Sequence, residues 1–70
     1  MVHFTYKIGT PGQRHDTLGT VIYSTVIVGS TVGEATQKAE RKFAEELRSE
    51  LATRAMLVTD DENVVWITNL

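Results

Sequence analysis

The segment Leu18 to Val28 is rich in Val, Ile, Thr and Tyr and contains no Pro. That composition favours one unusually long strand, because β-branched and aromatic side chains fit a pleated surface. Both faces of such a strand are apolar, with Leu18, Ile22, Val26 and Val28 on one and Val21, Tyr23 and Ile27 on the other. A strand apolar on both sides calls for cover on both sides. A chain of 70 residues makes one small domain, which buries only about 60% of the surface it exposes when unfolded. The strand therefore demands more cover than so short a chain readily supplies.

The neighbouring elements follow from periodicity. Val2 to Ile8 alternates strictly, placing Val2, Phe4, Tyr6 and Ile8 on one face and His3, Thr5 and Lys7 on the other, the pattern of a half-buried strand. Gly9-Thr10-Pro11-Gly12 is expected to break it with a turn, and the polar run Gln13-Arg14-His15-Asp16-Thr17 lengthens the loop. A loop of about nine residues is too short for a crossover helix, so the first two strands should pair as an antiparallel hairpin. Gly19 and Ser24 are the positions where a bend or bulge is expected.

Thr31-Val32-Gly33-Glu34 has capping-box spacing, with the Thr hydroxyl placed to accept from the amide three residues on and Glu34 to reach back. Good helix formers then run from Ala35 to about Arg54, where a cation suits the negative end of the helix dipole. Glu34 with Lys38 and Glu50 with Arg54 form correctly oriented pairs. The remainder reads as a hairpin, Met56 to Thr59 and Val64 to Thr68 flanking the turn formers Asp60-Asp61-Glu62-Asn63. The expected fold is thus α+β: a single domain over residues 1–70, ordered ββαββ, with one helix on one face of a four-stranded, mainly antiparallel sheet. A right-handed crossover through the helix, with the first strand inserted, gives the sheet order 2-1-3-4.

Two patterns point to partners. Ala35, Ala39, Phe43, Leu47, Leu51 and Ala55 recur at every fourth position, and five steps of 40° turn this row through about 200°. One sheet face accepts an apolar stripe on the order of 100° wide, so Leu47 and Leu51 are candidates to touch a second chain. The two-sided second strand adds Val21, Tyr23 and Ile27, which would lie beside Val65 and Ile67 of the last strand to form one patch. Trp66, with Val64, Thr68 and Leu70, forms an alternating face suited to lie under the helix.

Chemistry is sparse by comparison. No Cys is present, which excludes a disulfide framework and a thiolate metal site, and two histidines do not make a zinc cage. Asp60-Asp61-Glu62-Asn63 lacks the alternating spacing of a calcium loop. Gly9-Thr10-Pro11-Gly12-Gln13-Arg14 lacks the Gly-Lys-Ser/Thr ending of a phosphate loop and leads into a strand. No nucleophile stands with a base and an orienting third group, so no catalytic residue, metal or cofactor is assigned. A formal charge of −2 and a pI near 5.5 oppose a site that works by neutralising phosphates, leaving Lys7, Arg14 and His15 as the thin candidate footprint for an anion or nucleic acid. No leader-like segment follows Met1 and no apolar run spans a bilayer, so a cytoplasmic, membrane-free location is expected. The expected function is a non-enzymatic protein-interaction module of the small inhibitor or adaptor type, self-associating as a homodimer or binding a heterologous target. A nucleic-acid accessory protein using the first hairpin is the alternative. Size, acidity and the missing catalytic set also match the small accessory proteins of phages and mobile elements.

Overall fold

A computed structural model describes residues 2–46 and 52–69. The elements are β1 (Val2–Pro11), β2 (Leu18–Gly29), α1 (Val32–Glu46), β3 (Arg54–Val58) and β4 (Val64–Asn69). They form an α+β domain whose single sheet has the order β2-β1-β3-β4, with every neighbouring pair antiparallel. The alternation of β1 dictates which side is covered: Phe4, Tyr6 and Ile8 are buried, and α1 lies over them. Ile27 of β2, Ala55 and Leu57 of β3 and Ala52 join this core, and Phe43, Val65 and Trp66 pack around it. The helix can approach closely because it presents Ala35 and Ala39, both fully buried, to the sheet. Gly29 extends the same fit, since a Cβ there would come within 3.1 Å of the Ala35 amide nitrogen and 3.2 Å of the Thr31 carbonyl oxygen.

Thr31 caps α1 as its spacing predicts, its hydroxyl accepting from the Glu34 amide at 3.1 Å. Glu34 does not close the reciprocal half of the box; its carboxylate lies 3.4 Å from Lys38 Nζ. The end of the helix differs from the reading above. Arg54 and Ala55 belong to β3, opposite Gly9 and Ile8, so Ala55 is not part of the helical row. Its described members Ala35, Ala39 and Phe43 turn through only about 80°, which one sheet face covers. Leu47, Glu50 and Leu51 lie outside the described residues, and Arg54 as a strand residue makes no helical pair with Glu50.

The first turn also moves. Gly9-Thr10-Pro11 continues β1, with register shifts between Ile8 and Gly9 and between Gly9 and Pro11. Pro11 is tolerated because it ends the strand, and Thr10 supplies a side-chain acceptor to the Thr20 amide at 2.7 Å where the ladder is irregular. The shifts leave Ile22 as an extra residue near Tyr23 and fall around Gly19, whereas Ser24 sits in regular pairing with Lys7. Gly9 is required here: a Cβ would overlap the Thr20 carbonyl oxygen. At the other hairpin the Glu62 amide donates to the Thr59 carbonyl at 2.9 Å and the Asn63 amide to the Thr59 hydroxyl at 3.2 Å. Glu62 adopts a left-handed φ of 64°, a conformation that disfavours a side chain of its kind.

Candidate interaction surface

With the helix on one side, the opposite side of the sheet collects the other half of every alternation. Thr5 and Lys7 of β1 stand there, paired laterally with Val26 and Ser24 of β2 and with Val58 and Met56 of β3. Ile67 pairs with Met56, and a register shift after Leu57 places Val64 opposite Val58. Among the described residues no helix or strand lies over this face. Its centre is nevertheless close-packed, Met56 and Val58 being only 8% and 5% exposed, while Val21, Val26 and Val64 are 48%, 59% and 39% exposed. A shallow concavity of about 410 Å³ runs along it, lined by Leu18, Val21, Met56, Val58 and Val64 with Lys7 among them, Asp16 and Thr17 from the β1–β2 turn and Glu62 from the β3–β4 turn. The chemistry is that of an apolar floor carrying a single cation, with two carboxylates alongside.

Arg54 holds the Asp16–Thr17 side of this rim in place. Its Nη1 donates to the carbonyls of Arg14 and Thr17, each at 2.9 Å, and its Nε to Asn69 Oδ1 at 2.6 Å. The turn that it fastens is closed by Gly12 N to Thr17 O at 3.0 Å, Thr17 N to Arg14 O at 3.2 Å and the Thr17 hydroxyl to Arg14 O at 3.0 Å. One guanidinium from β3 thus ties together the β1–β2 turn and the far end of β4, and fixes where Asp16, Thr17 and Leu18 meet the open face.

The residues anticipated as one interface do not meet. β2 and β4 are opposite edges of the sheet, separated by β1 and β3, so Tyr23 and Ile27 are not beside Val65 and Ile67. Ile27 is buried under the helix at 7% exposure, and Val65 packs against the same core. Tyr23 is on the helix side opposite Ile8, exposed, with Lys42 Nζ 5.6 Å from its ring centre, within cation–π range. Only Val21 and Ile67 belong to the open face, and Leu47 and Leu51 lie outside the described residues. Trp66 is on the helix side opposite Leu57, as its alternation implied, but the register shift sends Val64 to the other face, and Leu70 is outside the described residues. Met56 and Val58 become open-face residues because β3 alternates with Ala55 and Leu57 inward, and Val64 joins them through the register shift after Leu57.

The trio proposed for anions divides as well. Lys7 lies on the open face, while Arg14 and His15 are exposed in the turn, Arg14 Nε standing 3.7 Å from Asp16 Oδ1. No group of three or more His, Cys, Asp or Glu among the described residues is placed to hold a metal ion, and none of their helices is long and apolar enough to cross a membrane. Compared with known proteins, the chain matches no family model, no curated protein and no solved structure.

Proposed function

We propose that the chain is a non-enzymatic protein-interaction module of the inhibitor or adaptor type, engaging its target through the helix-free face of the sheet. The observation that carries this reading is the exposure of Val21, Val26 and Val64 around a packed floor of Met56 and Val58. Contiguous apolar surface on a small protein marks binding sites more often than it is left idle. Lys7 supplies one directional charge inside that apolar frame, the combination by which interfaces gain specificity without a large desolvation cost. Asp16 and Glu62 at the rim favour a protein target over a phosphate backbone, because they offset the cation that phosphates would need.

The test is affinity capture from the native cell with four baits, wild type and three variants. Val21→Glu and Val64→Glu place charge on half-exposed positions of the face, and Glu40→Lys changes an exposed residue on the helix. A partner retained by wild type and Glu40→Lys and lost with both face variants is the expected result. Identical capture by all four baits overturns the assignment to this face. Tight, steeply salt-dependent binding of a labelled oligonucleotide, weakened by changing Lys7 and Arg14, would transfer the function to the nucleic-acid alternative.

A further inference from the structure

We infer that β2 is the site of self-association, pairing antiparallel with β2 of a second copy to make one continuous eight-stranded sheet. Three observations carry the step. β2 is an edge strand bonded to β1 alone, and at 12 residues it is the longest strand of the sheet. An edge leaves a row of backbone donors and acceptors unpaired, and proteins that stay monomeric blunt such rows with Lys, Pro or very short strands. β2 has none of these, since no charged residue and no Pro occurs between Thr17 and Gly33.

The side chains on that edge match themselves. Val21, Ile22, Tyr23 and Val26, all on β2, supply four of the seven large apolar side chains that are conspicuously exposed among the described residues. A second copy brings apolar groups to apolar groups, and the charges nearest the seam are Lys42 over Tyr23 and Lys38 at Val28, both on the helix side. The pairing has natural limits. Lys38 Nζ already bonds the Val28 carbonyl at 2.6 Å, and the irregular ladder near Ile22 and Gly19 twists the other end. The regular stretch from Tyr23 to Ile27 is therefore the centre of the contact. Antiparallel pairing of identical strands requires a two-fold axis perpendicular to the sheet, so both helices fall on one side and both open faces on the other.

Magnitude decides how firm the dimer is. The regular stretch from Tyr23 to Ile27 is roughly 17 Å long and a sheet with its side chains on the order of 10 Å thick, so the seam covers well under the about 800 Å² per partner of a standard interface. The association is accordingly expected in the micromolar range and sensitive to dilution. The consequence rests on the function proposed above: the dimer would display two copies of the Lys7 face side by side to its target.

The experiment is absolute mass by light scattering from low micromolar to near-millimolar protein, on wild type, Tyr23→Lys on β2 and Thr68→Lys on the opposite edge. Expected are a concentration-dependent dimer for wild type and Thr68→Lys, and at least a tenfold weaker dimer for Tyr23→Lys with an unchanged circular dichroism spectrum. Because the chain has no Cys, Ser24→Cys, Thr25→Cys and Val26→Cys form a clean scan in which the position nearest the axis crosslinks on oxidation, whether or not Tyr23→Lys folds. A monomer throughout, a dimer broken by Thr68→Lys instead, or no crosslink in the scan overturns the inference. Loss of target capture by Val64→Glu in a protein still dimeric, or its retention by monomeric Tyr23→Lys, whose side chain is on the helix side, separates the face from the edge.

Discussion

Replacing Arg54 with Ala removes three hydrogen bonds at once, to the Arg14 and Thr17 carbonyls and to Asn69 Oδ1. Hydrogen bonds from charged donors contribute about 1.5–3 kcal/mol when well shielded, but two of these three are solvent-exposed, where about 0.5–1 kcal/mol each is the fitting value. The expected loss is about 2–3 kcal/mol, allowing the part-buried bond to Thr17 the larger share. A domain of 70 residues has a total stability of about 4–10 kcal/mol, so the loss is between about a fifth and about three quarters of what holds the fold. The melting temperature should fall by roughly 10–20 °C. Arg54→Lys keeps the charge but replaces a planar fork by a point donor, and should recover less than half of the difference. Thermal and urea melts followed by circular dichroism give the global number, and amide exchange at Gly12 and Thr17, whose N–H groups close the turn, gives the local one. A melting temperature within about 3 °C of wild type for Arg54→Ala, corresponding to about 0.5 kcal/mol, refutes the claim that this guanidinium fastens the turn, as does unchanged exchange at both amides.

Two further outcomes test the fold at other points. Glu62 holds a left-handed φ of 64°; Glu62→Asn, a residue that tolerates this region, should stabilise the domain by about 0.5 kcal/mol, and Glu62→Val should destabilise it by about 1 kcal/mol, both read from urea midpoints. Phe4 is 2% exposed on the central strand, and Phe4→Ala should cost about 3–5 kcal/mol, enough to abolish a cooperative melt at 37 °C; a sharp transition retained there would place the core elsewhere.

Much of this architecture is legible because short-range rules act on it directly. The alternation from Val2 to Ile8 determines which side chains of β1 go inward whatever lies above them, since period two is a property of extended backbone. The Thr31 cap and the Glu34–Lys38 pair are likewise local, spanning one turn of helix. Errors gathered where a residue's fate depends on partners distant in the chain. Arg54 reads as a helix C-terminal cation, yet its three acceptors lie 15, 37 and 40 residues away. Pro11 reads as a turn residue, yet pairing with Leu18 makes it the last residue of β1.

The interface residues show the same division. That β2 is apolar on both faces is written in Leu18 to Val28, and so is the need for something to cover it. Where the surplus goes is a property of the assembled sheet: inserting β1 and β3 between the two edges keeps Tyr23 and Ile27 away from Val65 and Ile67, and a one-residue register shift after Leu57 moves Val64 to the face opposite Trp66. A shift of one residue reverses the face of a side chain because the pleat alternates, and ladder register is set by long-range pairing. Local patterns along the chain suffice for the order of the elements and the inward face of the central strand; the apolar residues that share the open face around Lys7 are set by which strands become neighbours and in what register, which is a property of long-range pairing.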